Sequence, residues 1–275
     1  MKNPILFQSI LYRLAALSLV AVGFSALTAC VSQPAVKAAG PSDMMTSSDE
    51  PESRKRARIR LELAVGYYNN GQTTIALDEI KQSINVDASL FESHNLRGLI
   101  YLRLNDLVLA EESFKKALSL SPKAATVQHN YGWMLCKQGR MAEAGQLFAA
   151  ALNNPMYTDR AKTFMTQGLC QLESGQRNLA ETSLLRSYEI DPANPIVGYN
   201  LALIFFQNAE YPRSQFYLRR INNSQLANAE SLWLGIKVER RMDSLSAADQ
   251  LGEQLRKRFP HAKETISFER SAFNE

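Results

Sequence analysis

The 275-residue chain has three histidines and three cysteines, and none of them form the close ligand pairs of a structural zinc site. It contains no G-x-S-x-G turn, no phosphate-cradling glycine loop and no H-E-x-x-H helix. Hydrolytic, nucleotide and zinc chemistry therefore have no residues to rest on. An enzyme is not expected, nor a cofactor, a metal or a small-molecule substrate. Thirteen glycines and ten prolines are too few for a collagen-like or low-complexity chain. Charge of one sign is also scarce, with 31 Lys and Arg set against 27 Asp and Glu, a formal +4. Nucleic-acid binding needs a clustered basic face, so no nucleic-acid partner is expected. What remains is ordinary globular composition, 45% apolar and 21% charged.

Long hydrophobic runs are missing too, with one exception. Residues 14–29 (LAALSLVAVGFSALTA) carry no charge and follow Lys2 and Arg13. Sixteen residues fall short of the roughly 20 that a membrane span needs, and suit the apolar region of a signal peptide. The run ends in Leu27-Thr28-Ala29-Cys30. This string resembles the lipobox of bacterial lipoproteins, in which small residues precede a cysteine that is acylated after cleavage. Residues 1–29 are then a cleaved lipoprotein signal peptide and Cys30 is the lipidated residue. Loss of Lys2 and Arg13 leaves 29 cations against 27 acids, +2. Residue 31 is Val rather than Asp, which by the sorting rule of such lipoproteins implies the outer membrane, facing the periplasm. Three acyl chains make an effectively permanent anchor. Residues 30–53, with three prolines and five serines, read as the acylated cysteine and a flexible tether.

The rest, 54–260, repeats itself. Segments starting at 57, 91, 125, 161, 195 and 228 superpose with spacings of 34, 34, 36, 34 and 33, the long one holding an insertion near Asn153–Met156. Small residues recur at the eighth and twentieth positions and larger apolar ones at the eleventh and twenty-fourth. The second unit shows this best, with Gly98, Tyr101, Ala110, Phe114, Ala117 and Pro122. The pattern resembles the tetratricopeptide repeat (TPR), which implies an all-α, right-handed superhelical solenoid of about six repeats near 57–90, 91–124, 125–160, 161–194, 195–227 and 228–260. Each unit is a pair of antiparallel helices, A and B, that buries its apolar face only by stacking on its neighbours. Residues 261–275 are left as a C-terminal tail.

In such a solenoid the second, fifth, ninth and twelfth positions of each helix A line the inner groove, and 17 of the 24 residues there are apolar. Half of them are expected to be half-buried by curvature. The groove residues that would hold a partner's apolar segment are Leu61, Val65, Tyr68, Leu99, Leu102, Trp133, Met165, Tyr199 and Phe206. Cys136, His129 and Glu239 occupy groove positions in the same frame. His129, Cys136 and Cys170 could imitate a ligand set, but lack its spacing. Cys136 and Cys170 fall at off-register positions on neighbouring A helices, whose axes lie about 8–10 Å apart, so two buried thiols rather than a disulfide are expected. Five cations between Arg54 and Arg60 form either a solvated first turn or a contact for lipid phosphates or an acidic partner.

Lipobox, tether and six repeats together resemble the type IV pilus biogenesis/stability lipoproteins, the PilF/PilW family of secretin pilotins. Leu63-Ala64-Val65-Gly66-Tyr67-Tyr68, His129-Asn130-Tyr131-Gly132-Trp133-Met134-Leu135, Ser231-Leu232-Trp233-Leu234-Gly235-Ile236 and Leu255-Arg256-Lys257-Arg258-Phe259-Pro260 carry the likeness. The resemblance implies a non-enzymatic outer-membrane lipoprotein whose groove holds secretin subunits and promotes their localisation and multimerisation. A general periplasmic TPR scaffold for cell-wall enzymes or outer-membrane protein assembly is the alternative.

Overall fold

The computed structural model describes residues 49–273. The expected signal peptide, Cys30 and the expected tether as far as residue 48 lie outside the described residues. From Pro51 on, the chain folds as a unit of its own. Among the described residues there are thirteen helices and no strand. They are α1 (Glu52–Asn69), α2 (Thr73–Val86), α3 (Phe91–Arg103), α4 (Leu107–Leu120), α5 (Ala125–Lys137), α6 (Met141–Leu152), α7 (Arg160–Glu173), α8 (Arg177–Ile190), α9 (Pro195–Gln207), α10 (Tyr211–Asn222), α11 (Ala229–Arg241), α12 (Leu245–Arg258) and α13 (Lys263–Glu269). None is long and apolar enough to cross a membrane.

Each repeat turns from helix A to helix B through one residue with positive φ: Gly71, Asn105, Gly139, Gly175, Ala209 and Asp243. Glycine suits three of these because it lacks the Cβ that makes the left-handed region costly. The turns are spaced 34, 34, 36, 34 and 34 apart. The two extra residues fall between α6 and α7, as the sequence suggests, in a loop anchored by buried Tyr157.

The spacing corrects the frame of the last repeat, which starts at 229 rather than 228. There, the small residue that repeats one to five carry as Ala64, Gly98, Gly132, Gly168 and Ala202 is Ile236. The larger residue that they carry on helix B as Ile80, Phe114, Phe148, Leu184 and Leu218 is Gly252. Bulk has moved from helix B to helix A. In repeat two the ordinary arrangement is explicit, since a Cβ on Gly98 would lie 2.7 Å from the Phe114 ring. In repeat six the space over Gly252 is taken by Phe268 of α13, which a Cβ there would meet at 2.1 Å.

Accordingly the tail is not a plain tail. Helix α13 packs on α11 and α12, and Phe273 stacks near Trp233 with ring centroids 5.5 Å apart. At the other end helix α1 starts at Glu52, two residues earlier than expected. The core is a succession of buried clusters along the stack, such as Phe114, Tyr131, Leu135 and Phe148, then Leu184, Leu201, Phe205 and Leu218.

Candidate protein-binding groove

None of the nine expected groove residues is fully buried. Val65 is 40% exposed and Trp133 37%, while Leu61, Tyr68, Leu99, Leu102, Met165, Tyr199 and Phe206 are half-buried. Their inner sides join the core clusters, with Leu61 and Tyr68 on Ile80 and Leu96, Leu99 and Leu102 on the Phe114 cluster, and Met165, Tyr199 and Phe206 on the Phe205 cluster. Curvature therefore covers part of each, and the remainder is a broken apolar row along the A helices. The Arg103 guanidinium lies 3.5 Å from the Tyr68 ring centroid and holds that ring flat. Asn130 donates to Asn95 Oδ1 at 3.1 Å across the second and third repeats.

Other groove positions are corrected. His129 is buried, and its Nδ1 meets the Thr163 hydroxyl at 2.9 Å, which in turn meets Tyr157 Oη at 2.9 Å. Desolvation pulls the His129 pKa down to about 4. Cys136 is buried and disulfide-bonded to Cys170, with Cα atoms 6.0 Å apart. The expectation of two free thiols fails for a geometric reason. Cys136 sits four residues beyond Gly132 and Cys170 two beyond Gly168, the matching position. At 3.6 residues per turn, a two-residue offset rotates a side chain by about 200°, so on parallel neighbouring helices the two thiols face each other. Off-register positions were the condition for the bond, not an obstacle.

In repeat six the one-residue slip buries Leu232, Ile236 and Glu239 and presents Glu230, Trp233, Lys237 and Arg240 instead. Lys237 Nζ stands 5.7 Å from the Phe206 ring and 5.5 Å from Trp233, and burial lowers its pKa. These residues were missed, although counting back from Asp243 would have found them. The basic run is spent largely inside the protein: Arg54 pairs with Asp87, Lys55 with Glu52, Arg58 with Glu92 and Arg60 with Glu79. A hydrogen bond from Ser89, then one from Arg54, brings the Asp87 pKa down to about 2. Among the described residues no group of three or more His, Cys, Asp or Glu could hold a metal ion.

A further exposed apolar surface lies on α1. Ile59, 57% exposed, and Leu63 flank a crevice of about 400 Å³ that continues over Gly66 to Tyr67. Spacings of four, seven and eight residues place these on one helical face. A Cβ on Gly66 would touch nothing within 4 Å, so the glycine leaves a notch in that face.

This architecture, paired helices with a half-open apolar row along the A helices, defines a protein-binding TPR solenoid. Models of the tetratricopeptide repeat match residues 91–124 and 110–161. The type IV pilus assembly protein PilF of Pseudomonas aeruginosa is 26% identical over 257 residues, 94% of this chain and 98% of that protein. The solved P. aeruginosa PilF structure superposes with TM-score 0.72 at 25% identity, covering 80% of this chain and 100% of that one. The structure of PilW, a type IV pilus biogenesis factor, gives TM-score 0.67 at 28% identity over 77% and 97%. The chain is thus similar over most of its length to the type IV pilus TPR proteins PilF and PilW, which supports a TPR protein of type IV pilus biogenesis.

Proposed function

We propose that this protein is a pilotin: a non-enzymatic lipoprotein of the outer membrane that faces the periplasm, binds subunits of the type IV pilus secretin and promotes their localisation and multimerisation. The observation that carries the reading is the apolar row on the A helices. It is densest on α1, in a chain similar to PilF along almost its whole length. Half-exposed aromatic and aliphatic side chains on a rigid scaffold can seat an apolar segment with little ordering cost. Two further features support the location. Leu27-Thr28-Ala29-Cys30 has the lipobox pattern, and the Cys136–Cys170 disulfide suits an oxidising compartment such as the periplasm.

The mechanism needs no chemistry beyond acylation of Cys30. Lipoprotein trafficking carries the solenoid, and whatever its groove holds, to the outer membrane. Confinement to a thin layer then raises the effective concentration of bound subunits and favours ring assembly. The test separates the two halves of this account. Cys30→Ala should leave secretin binding intact and mislocalise the multimers. Leu61→Glu with Tyr68→Glu should leave localisation and fold intact and abolish the multimers. Normal multimers in the second variant would remove the groove from the mechanism.

A further inference from the structure

At the junction of repeats five and six the solenoid abandons its own pattern at three positions that meet. Four residues before the turn, repeats one to five carry Tyr67, Tyr101, Leu135, Gln171 and Phe205, whereas repeat six has Glu239. Eight before the turn, where repeats three and five have Tyr131 and Leu201, repeat six has Gly235. Thirteen after the turn, repeats one to four have Ile84, Leu118, Leu152 and Tyr188, and repeat five has Asn222. Repeats two and four carry Arg97 and Gln167 eight before the turn, but where repeat two meets three and repeat four meets five these positions are apolar and close the joint. Leu118, Tyr131 and Leu135 share one apolar cluster, and Tyr188, Leu201 and Phe205 share another. Between α10, α11 and α12 they instead line a cavity of about 210 Å³.

Its polar groups are built in and incompletely used. Glu239 is only 6% exposed, and both of its oxygens accept from Gln215 Nε2, at 2.8 and 2.9 Å. Among the described residues no Lys or Arg pairs with it. Asn222 is 5% exposed and donates Nδ2–H to the Ser231 carbonyl at 3.0 Å, which fixes its orientation. Its Oδ1 then has no partner. Gly235 makes room for that amide, since a Cβ there would sit 2.7 Å from Asn222 Nδ2. A buried carboxylate without a cation and a buried carbonyl without a donor are each costly unless something supplies the missing partner. Asn222 Oδ1 lacks a donor and Glu239, held only by a neutral amide, lacks a cation.

We propose that this crevice is a binding site for a guanidinium group, presented either by an arginine side chain of a partner protein or by a small guanidino compound. A planar fork of N–H donors can serve the Glu239 carboxylate and Asn222 Oδ1 together, which the point charge of an ammonium matches less well. The site is distinct from the apolar row of the A helices and does not depend on what that row holds. Arg219 at the rim stays exposed and leaves the floor to the carboxylate.

The test is calorimetric titration of the purified protein with N-acetyl-arginine amide and with its neutral isostere N-acetyl-citrulline amide, alongside NMR of the Asn222 side-chain amide. Saturable binding of the arginine probe, tighter than the citrulline probe by at least about tenfold, with movement of the Asn222 signal, is the expected result. Glu239→Gln keeps the volume and should bring the two probes to equal affinity. Free L-arginine binding more tightly than the blocked probe assigns the site to a small molecule; the reverse assigns it to a peptide. No saturable binding of either, or equal affinity of arginine and citrulline probes for the unsubstituted protein, would overturn the proposal. That comparison holds even if the variant fails to fold.

Discussion

Opening the Cys136–Cys170 bond tests how far the stack of repeats depends on one covalent tie. The two residues are 34 apart, so the bond closes a loop of one full repeat across α5, α6 and α7. Closing a loop of that size removes chain entropy from the unfolded state worth about 4 kcal/mol in the entropic model. For a solenoid of this length, 1 kcal/mol corresponds to about 2–4 °C in Tm, so reduction should lower the midpoint by roughly 8–16 °C if the stack melts as one unit. Repeat arrays can melt piecewise, and then the loss falls on repeats three and four, which carry the bond. The assay is circular dichroism melting of the oxidised protein, the reduced protein and the Cys136→Ala/Cys170→Ala variant. Hydrogen exchange read repeat by repeat would locate the loss. Alanine is the suitable replacement because both cysteines are buried and serine would bury two hydroxyls. Equal midpoints with and without reductant, or recovery of Cys136 and Cys170 as free thiols from the unreduced protein, would refute the reasoning.

Other outcomes follow from the packing and the titrating groups. Gly98→Ala gains helix propensity of about 1 kcal/mol yet should destabilise the protein by roughly 1–3 kcal/mol, because its Cβ would meet the Phe114 ring at 2.7 Å; urea unfolding gives the sign. Gly252→Ala should release α13 from the end of the stack, seen as lost exchange protection over 263–269 with the earlier repeats unchanged. Buried neutral His129 has a folded pKa lowered to about 4, so its contribution is present above the unfolded value near 6.5 and is lost as pH falls through about 4. Asp87 and Glu111 titrate near 2, so their contributions are present above the ordinary carboxylate range and fade between about 4 and 2. In Glu111, burial pushes the pKa up, and hydrogen bonds from Arg140, Lys115 and Tyr131 more than reverse it. His129→Gln should flatten the pH dependence of Tm only in the upper window, and an unchanged profile there would exclude the histidine.

How much of this was legible in the chain depended on whether the signal repeats. The period, the small residue at Gly98, the large one at Phe114 and the position of the insertion after Leu152 were readable because several units state the same rule. The last repeat was misread by one residue because it departs from the rule twice, with Ile236 where a small residue belongs and Gly252 where a large one does. That slip assigned Glu239 to the groove and hid Lys237 and Trp233, although Asp243 marks the turn at the regular interval. The disulfide was missed because positions were compared along the chain rather than around the helix. The fate of the basic run was not readable at all, since the partners of Arg54, Arg58 and Arg60 lie 33, 34 and 19 residues away and only the fold brings them close. The nine groove residues were expected to be those that curvature leaves open, yet seven of them are half-buried against the core clusters. Tyr68 clamped beneath Arg103 was not anticipated, since the pair belongs to two different repeats.

The central claim is that the apolar face near the first repeat holds a secretin subunit. A photo-crosslinking amino acid in place of Val65, which is exposed on α1, tests it most directly in cells that assemble pili. The account predicts a single dominant adduct with the pilus secretin, lost when Leu61 and Tyr68 are changed to Glu. An adduct with other envelope proteins and none with the secretin, from a protein present at normal level, would contradict it.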